Sequence, residues 1–482
     1  MKALQVFKKF PRTFWVANTM ELFERWAWYG FFSLFALYLT GSTDEGGMGF
    51  TQIQKGNIMG IGTAILYFLP IITGTISDRI GYKRTLYIAY TVYTTAFIAM
   101  PFFHTYFSVF FIFLYLALGA ALFKPIVSAT VAKTTDETTS SIGFGLFYMM
   151  VNIGAFIGPF VTNHYQQIAW KYVYFSSAAV IAANFILLTF FYREPTEKQK
   201  QKESSLGKNI IEVFKNIGVA LSDVRFVVFL IIVSGFWTMY NQLFFSLPVF
   251  IEQWANTSIV YDMFHSWWPW LAEQIGTSNG TIPPNILINA DAGFIILFQI
   301  IVSSIAMKFR PLNAMITGML IASIGVGFSM ATQNGIYTLI AILIFSLGEM
   351  SSSPKITEYI GRIAPADKTA LYMGCSFLPV AAGNYFAGII SGNVYQSMSD
   401  KIQLAKNEMA SRGIHMPEIS KAFSQNDYLK TAADKLHMNL DQFTNFLWDK
   451  YHPSNIWVVV TGIGVGAAVL LFLYDRLLLK KK

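Results

Sequence analysis

Long apolar stretches recur along this chain, separated by short polar connections. Twelve of them, residues 13–39, 56–76, 85–103, 106–131, 142–163, 171–192, 225–252, 286–307, 312–332, 336–362, 370–392 and 455–478, are read as spans. Each reaches the roughly 20 residues needed to cross the hydrocarbon of a bilayer. Backbone groups in lipid find no partner outside their own segment, so each stretch is expected to be a helix. The pattern predicts an all-α polytopic membrane protein, with six spans on either side of a polar segment at 193–224.

Composition agrees with that pattern. Hydrophobic residues make up 54%, charged residues 13%, and the mean hydropathy is +0.46, against about 25% charged in ordinary soluble domains. The formal charge of +8 could suit nucleic acid, but the basic residues punctuate the ends of apolar runs, so no nucleic-acid partner is expected. They cluster in alternate connections: Lys8, Lys9 and Arg12; Arg79, Lys83 and Arg84; Lys133; Arg193, Lys198 and Lys200; Lys308 and Arg310; Lys368; Arg476 and Lys480–Lys482. Stretches 41–54 and 253–285 contain no Lys or Arg. The positive-inside rule therefore predicts both termini in the cytoplasm. Met1–Arg12 is short and basic, and the apolar segment after it carries Glu21, Glu24 and Arg25, so no cleavable signal is expected. Cys375 is the single cysteine, which excludes an intramolecular disulfide.

Five regions follow: a six-span bundle at 1–192, a linker at 193–224, further spans at 225–392, a polar segment at 393–454, and a last span with basic tail at 455–482. In the linker, Leu206, Ile210, Val213, Phe214, Ile217 and Leu221 recur at helical spacing, which fits a connector or a helix on the membrane surface. Segment 393–454 alternates charges of both signs, with helical patterns around Ser397–Arg412 and Asn426–Lys450. It could cap a pathway, bind a partner or be a solvated excursion.

Ionisable residues inside spans cost about 2.5–3.5 kcal/mol each at the centre and usually mark a substrate or proton path. The first span places Glu21, Glu24, Arg25 and Trp28 on one helical face. A carboxylate pair beside a guanidinium can release the Arg when one carboxylate is protonated, which suits proton coupling. The competing reading is a static ion-pair cluster. Lys124 lies deep in the fourth span before Pro125, and Glu349 lies in the tenth before Pro354. A zwitterion could set its carboxylate near Arg25 and Lys124 and its ammonium near Glu349. Asp291 and Asn152 add polar groups, and Tyr29 and Tyr67 add hydroxyls. After the second span, Gly74, Asp78, Arg79, Gly81, Lys83 and Arg84 form a connection in which Asp78 and the cations could latch helices together.

That connection looks like the loop signature of the major facilitator superfamily. Glu21-x-x-Glu24-Arg25 ending in Tyr29-Gly30 resembles the first-helix motif of its proton-dependent oligopeptide transporters. Phe123-Lys124-Pro125, Phe147-Tyr148 with Asn152-x-Gly154, Phe236-Trp237 through Gln242, and Gly348-Glu349 with Ser353-Pro354 are similar too. The resemblance implies a major-facilitator-type bundle of 12 transmembrane helices in two six-helix halves, performing proton-driven symport of di- and tripeptides by alternating access. It implies that Glu21, Glu24 and Arg25 form the proton-coupling network, that Arg25 and Lys124 hold the peptide carboxylate and Glu349 the amino end, and that Tyr29, Tyr67, Asn152 and Asn289 line the pocket. Asn241 stands where the family has an acidic residue; Asp291 is a candidate replacement. Trp28 and Ser376 also depart from the pattern, which leaves another organic anion or amino-acid-like solute as an alternative.

No His-Glu-x-x-His or Gly-x-Gly-Asp motif occurs, so no enzyme activity, metal site or cofactor beyond the coupling proton is expected. A receptor using segment 393–454 is a further reading. The expected partners are a small-molecule or peptide substrate, protons and the lipid bilayer, with a monomer as working unit and a bacterial inner membrane as location.

Overall fold

A computed structural model describes residues 9–136, 139–195, 206–328, 332–365 and 368–479. Lys8, Lys198, Lys200, Lys480–Lys482 and the linker stretch 196–205 lie outside the described residues. The helices, in chain order, are α1 (Arg12–Thr40), α2 (Gln52–Phe68), α3 (Pro70–Ile80), α4 (Tyr82–Ala99), α5 (Tyr106–Lys133), α6 (Ser140–Ile168), α7 (Trp170–Ile186) and α8 (Leu206–Leu221). They continue with α9 (Val224–Tyr240), α10 (Leu247–Trp254), α11 (Ser258–Trp267), α12 (Pro269–Ile275), α13 (Pro284–Ala306), α14 (Pro311–Phe328), α15 (Gly335–Ile363), α16 (Thr369–Gly374) and α17 (Phe377–Ile389). The last four are α18 (Lys401–Ser411), α19 (Gln425–Lys435), α20 (Leu440–Tyr451) and α21 (Ile456–Tyr474). Among the described residues no strand forms; one isolated bridge joins Asn256 and Asn334.

Among the described residues ten helices are long and apolar enough to cross a membrane, and α2 with α3, bent by 46°, makes an eleventh. The bend falls where Pro70 opens α3, because a proline cannot donate to the preceding turn. The twelfth expected span, α1, is 29 residues long, but Glu21, Glu24 and Arg25 lower its hydropathy, and it is not among the eleven. The span expected at 225–252 is interrupted: helix continues through Gln242–Phe245, then restarts as α10 with Pro248 in its first turn.

The chain divides into two compact units whose borders fall within helices. The first contains residues 1–31, 62–231 and 360–381. Here α4 packs on α5 and α7, α6 on α7, and α3 on α5. The linker helix α8 rests on α3 and α16, and Tyr372 Oη donates to Asp223 at 3.2 Å. Close approach of α1 and α6 depends on Gly30, Gly154 and Gly158: a Cβ on Gly154 would stand 2.9 Å from Arg25 Cβ. Small residues at such crossings let backbones meet where lipid supplies no hydrophobic drive.

The second unit contains residues 32–61, 232–359 and 382–482. Its central pairing is α14 against α21. In the first half of α2, Gly56 and Gly60 meet Gly388 on α17; a Cβ on Gly60 would lie 2.8 Å from Gly388 Cα.

Segment 399–455 belongs to this unit and is folded. Asp400, Ser424 and Asn439 cap α18, α19 and α20 by accepting from the third helical N–H, satisfying donors that a helix start leaves open. The helical pattern expected over Asn426–Lys450 breaks between α19 and α20, where His437 adopts positive φ. Glu408 is fully buried and accepts from Arg412 Nε at 2.6 Å, Lys450 Nζ at 2.6 Å and Tyr451 Oη at 2.7 Å. Burial, with the bond to Glu408 second, pushes the Tyr451 phenol up to about 12, so it stays a neutral donor. The segment docks through Asp400 Oδ1, which accepts from Gln52 and Gln253, each at 2.9 Å. Asn426 Nδ2 donates to Asp44 at 3.1 Å and Glu45 at 2.9 Å, and Trp448 packs on Phe250 and Trp254.

Gly388→Val should destabilise the protein by about 1–3 kcal/mol through overpacking, read as a lower melting temperature in detergent. Gly466, where an added Cβ would meet nothing within 4 Å, is the control: Gly466→Ala should leave the melt unchanged or slightly raised.

Candidate functional site

The charged residues of the first unit gather around α1. Apolar neighbours at 22, 23, 26 and 27 hold this helix in the bundle and leave the face of Glu21, Glu24 and Arg25 to be satisfied by protein. Glu24 is fully buried; it accepts from Arg25 Nε at 2.5 Å and from Tyr93 Oη of α4 at 2.6 Å. Arg25 also pairs with Glu21 Oε1 at 3.2 Å, and its guanidinium carbon lies 5.9 Å from the Tyr29 ring centre. One guanidinium is thus shared between two carboxylates. Breaking such a buried set leaves an uncompensated charge, which is far more costly than the set is stabilising. Chemically, the arrangement can release Arg25 from either carboxylate when that carboxylate takes a proton.

Lys124 on α5 is held by a ring: its ammonium lies 4.0 Å from the centre of Tyr67 on α2. A cation over an aromatic face gains from the ring's negative face, and Glu21 is close enough to interact with the same ammonium electrostatically. Asn152 donates to its own helix, at the Tyr148 carbonyl, over 2.8 Å. Trp28 is buried and packs edge-on to Phe31 at 6.2 Å.

The second unit holds two carboxyl groups on α13 and α15. Asp291 Oδ1 lies 2.5 Å from Ser346 Oγ, and that hydroxyl also lies 2.7 Å from the Ile342 carbonyl. One hydroxyl proton cannot serve both acceptors. It donates to an ionised Asp291, or donates to Ile342 and accepts from a protonated Asp291, so the contact accommodates either state. Glu349, one turn beyond Ser346, accepts from Tyr240 Oη at 3.0 Å. Its other oxygen, Oε2, is buried with no hydrogen-bond partner among the described residues. Tyr240 is wedged between Trp237 at 5.0 Å and Phe345 at 5.5 Å. Asn241 donates to the Trp237 carbonyl at 2.7 Å, and Asn289 is buried on α13 two residues before Asp291.

At the α3–α4 connection, where a latch of Asp78 and the cations is expected, Asp78 is engaged through Tyr82. Asp78 accepts from Tyr82 Oη at 2.9 Å, Lys133 donates to the same hydroxyl at 2.7 Å, and Glu194 accepts from the Tyr82 backbone N–H at 2.5 Å. Lys83 donates to the Thr189 carbonyl at 3.3 Å, while Arg79 and Arg84 are exposed. Gly81 takes φ of +98°, which a side chain would resist, and Gly74 on α3 faces Pro125 of α5.

Four participants escaped the sequence pattern. Tyr93, Tyr240 and Ser346 are ordinary helix residues by composition; only the turn spacing of Ser346 to Glu349, and of Tyr240 to Trp237, hinted at them. Lys55 falls one residue before the second expected span, yet it is fully buried in α2, donating to the Phe245 carbonyl at 2.8 Å beside the Tyr395 ring. Among the described residues no three His, Cys, Asp or Glu side chains gather as a metal site.

Residues 19–258 match the family model for the Major Facilitator Superfamily. The whole fold matches a crystal structure of a POT family transporter in complex with 5-aminolevulinic acid, with a TM-score of 0.69 over 97% of this chain and 96% of that one, at 17% identity. The chain belongs to the major facilitator superfamily. Transporter YclF of Bacillus subtilis (strain 168) is 22% identical over 443 residues, covering 79% of this chain and 88% of that protein. A di-/tripeptide transporter of Lactococcus lactis subsp. lactis (strain IL1403) is 26% identical over 187 residues, covering 38% of this chain and 37% of its own. This chain is therefore a multi-pass membrane protein of the all-α, major-facilitator type.

Glu24→Ala should remove a carboxylate that holds both Arg25 and Tyr93 and cost about 3–5 kcal/mol, whereas Tyr93→Phe should cost about 1 kcal/mol. Thermal unfolding of the two variants in the same detergent checks the order and the gap.

Proposed function

We propose that the protein is a proton-coupled symporter of di- and tripeptides working by alternating access. The observation that carries this reading is Glu349: one carboxylate oxygen is held by Tyr240 and the other is buried without a hydrogen-bond partner among the described residues. Buried polar atoms are nearly always satisfied, so an open acceptor on a rigid helix suits a ligand donor, and a peptide ammonium is the matching group. Lys124 and Arg25, cations held by a ring and by shared carboxylates, suit the peptide carboxylate. Tyr29, Tyr67, Asn152, Asn241 and Asn289 supply the remaining polar lining. The peptide-transport names of similar proteins support the same substrate class.

Proton coupling is assigned to two places. Glu21 and Glu24 compete for Arg25, so protonating one hands the guanidinium to the other. Asp291 takes the part of the acidic residue that Asn241 lacks, with Ser346 able to reorient as the proton arrives or leaves. Entry of one proton would supply about 2.3 kcal/mol per 100 mV of membrane potential. Rocking of two repeats about a central site would carry the solute across. The basic connections support cytoplasmic termini by the positive-inside rule, and in this reading the membrane is a bacterial inner membrane; the working unit is a monomer, with the proton as its only coupling ligand and transport rather than an enzymatic reaction as its activity. The linker helix α8 lies along the surface or acts as connector, and Gly74 through Arg84 steady the cytoplasmic end. Asn241 and Ser376 favour one second reading, an amino-acid-like or other organic anion as solute.

In proteoliposomes, dipeptide uptake is expected to rise with an acid-outside, negative-inside gradient and to vanish with protonophore; no gradient-dependent uptake of any dipeptide, with uptake of an organic anion instead, selects the second reading. Glu349→Gln should lower uptake roughly 10- to 100-fold, as loss of a charge-assisted bond of about 1.5–3 kcal/mol implies. Asp291→Asn should abolish proton-driven accumulation yet leave peptide exchange; wild-type accumulation would remove Asp291 from the coupling scheme.

A further inference from the structure

Between α10 and α13 the chain makes a helical hairpin, α11 and α12, turning at Trp268. Its apex reads Trp267-Trp268-Pro269-Trp270, and the three indoles are 89%, 57% and 60% exposed. They are not carried on a loose loop. Trp268 N–H donates to the Phe264 carbonyl at 2.7 Å, and Val260, Ala272 and Ile275 are buried beneath the two helices. Tyr261 stacks on His265 at 5.7 Å, and Gly276 comes so close to the Tyr261 ring that a Cβ there would stand 2.5 Å from it. Thr277 and Thr281 close the base through a hydroxyl pair at 2.7 Å.

The base of the hairpin has a defined place in the second unit. Asn256 N–H donates to the Gln333 carbonyl at 2.6 Å, and Gly335 N–H donates to the Asn256 carbonyl at 3.0 Å. The hairpin thus starts against the connection between spans α14 and α15, where spans leave the hydrocarbon. On either side of that connection, Phe328, Tyr337 and Ile340 are exposed at 42%, 46% and 38%, as side chains at a lipid-facing rim are. The base of the hairpin therefore adjoins a rim of exposed apolar side chains at the end of two spans.

The chemistry selects one occupant. A contiguous exposed apolar patch on a rigid element requires a cover. Indoles pair an apolar body with an N–H donor and favour the layer where acyl chains meet headgroups. Stretch 253–285 has no Lys or Arg and carries Asp262 and Glu273, both exposed, so attraction to anionic headgroups plays no part. We propose that the α11–α12 hairpin is an interfacial anchor, its three tryptophans seated among the headgroups of the adjoining leaflet, where they fix the depth of the α10–α13 end of the second unit.

Cys375 is buried, so a nitroxide on an introduced cysteine reports one place in the full-length protein. Trp267→Cys carries the label at the apex, Leu297→Cys, 68% exposed on α13, is the lipid reference, and Glu418→Cys is the aqueous one. In phosphatidylcholine nanodiscs, oxygen-to-nickel accessibility at 267 is expected to be several-fold above that at 418 and to approach that at 297. Accessibility at 267 equal to that at 418 would overturn the anchor, and so would spin–spin broadening between labels in liposomes that disappears on dilution with unlabelled protein, which would mean a second copy. A second readout is tryptophan quenching by lipids brominated near the headgroup. The Trp267→Ala, Trp268→Ala, Trp270→Ala triple variant should lose a large part of it; unchanged quenching in a variant that melts like the wild type would equally overturn the proposal.

Discussion

A charge placed inside a bilayer helix has no water to turn to, and within each unit the deep charges are met by other side chains. Arg25 is held by Glu21 and Glu24, and Glu24 in turn by Tyr93. Lys124 rests on Tyr67, Asp291 on Ser346, and Glu349 on Tyr240. The partners differ in kind, and that difference matters for chemistry. A carboxylate pair around one guanidinium is a set with alternatives, since either member can be neutralised while the other keeps the Arg. A lysine over a ring and a glutamate with one buried, unpartnered oxygen among the described residues are held by fewer groups than that set is.

Holding those groups depends on close backbone packing. Gly30, Gly154 and Gly158 bring α1 and α6 together, and Gly56, Gly60 and Gly388 bring α2 and α17 together. With lipid as solvent, contact area and hydrogen bonds replace the hydrophobic drive, so a missing side chain becomes a packing device. The second unit also carries a small polar domain built by water's rules, with three capped helices and a buried Glu408 that satisfies three donors. Two solvent regimes thus coexist in one compact unit, joined by Asp400, Gln52 and Gln253.

The superfamily and the helical architecture were legible because they rest on periodic and compositional facts. Apolar run length dictates helices in lipid, and the Glu-x-x-Glu-Arg run shares one helical face whatever surrounds it. Residue patterns also marked Lys124, Asp291 and Glu349, since an isolated charge in an apolar helix stands out by itself. The interruption near Pro248 and the bend at Pro70 show the limit: a proline signals a break without saying whether the span continues.

What the chain's order of residues determined by itself was therefore which positions are apolar, which carry charge, and which share a turn. Only the tertiary structure decided the partners. Tyr93 and Ser346 join distant helices to Glu24 and Asp291, Tyr82 rather than a cation meets Asp78, and Lys55 lies buried rather than at a span's edge. A hydrogen bond is set by the crossing of two helices, and crossings depend on packing summed along both, which no local periodicity contains.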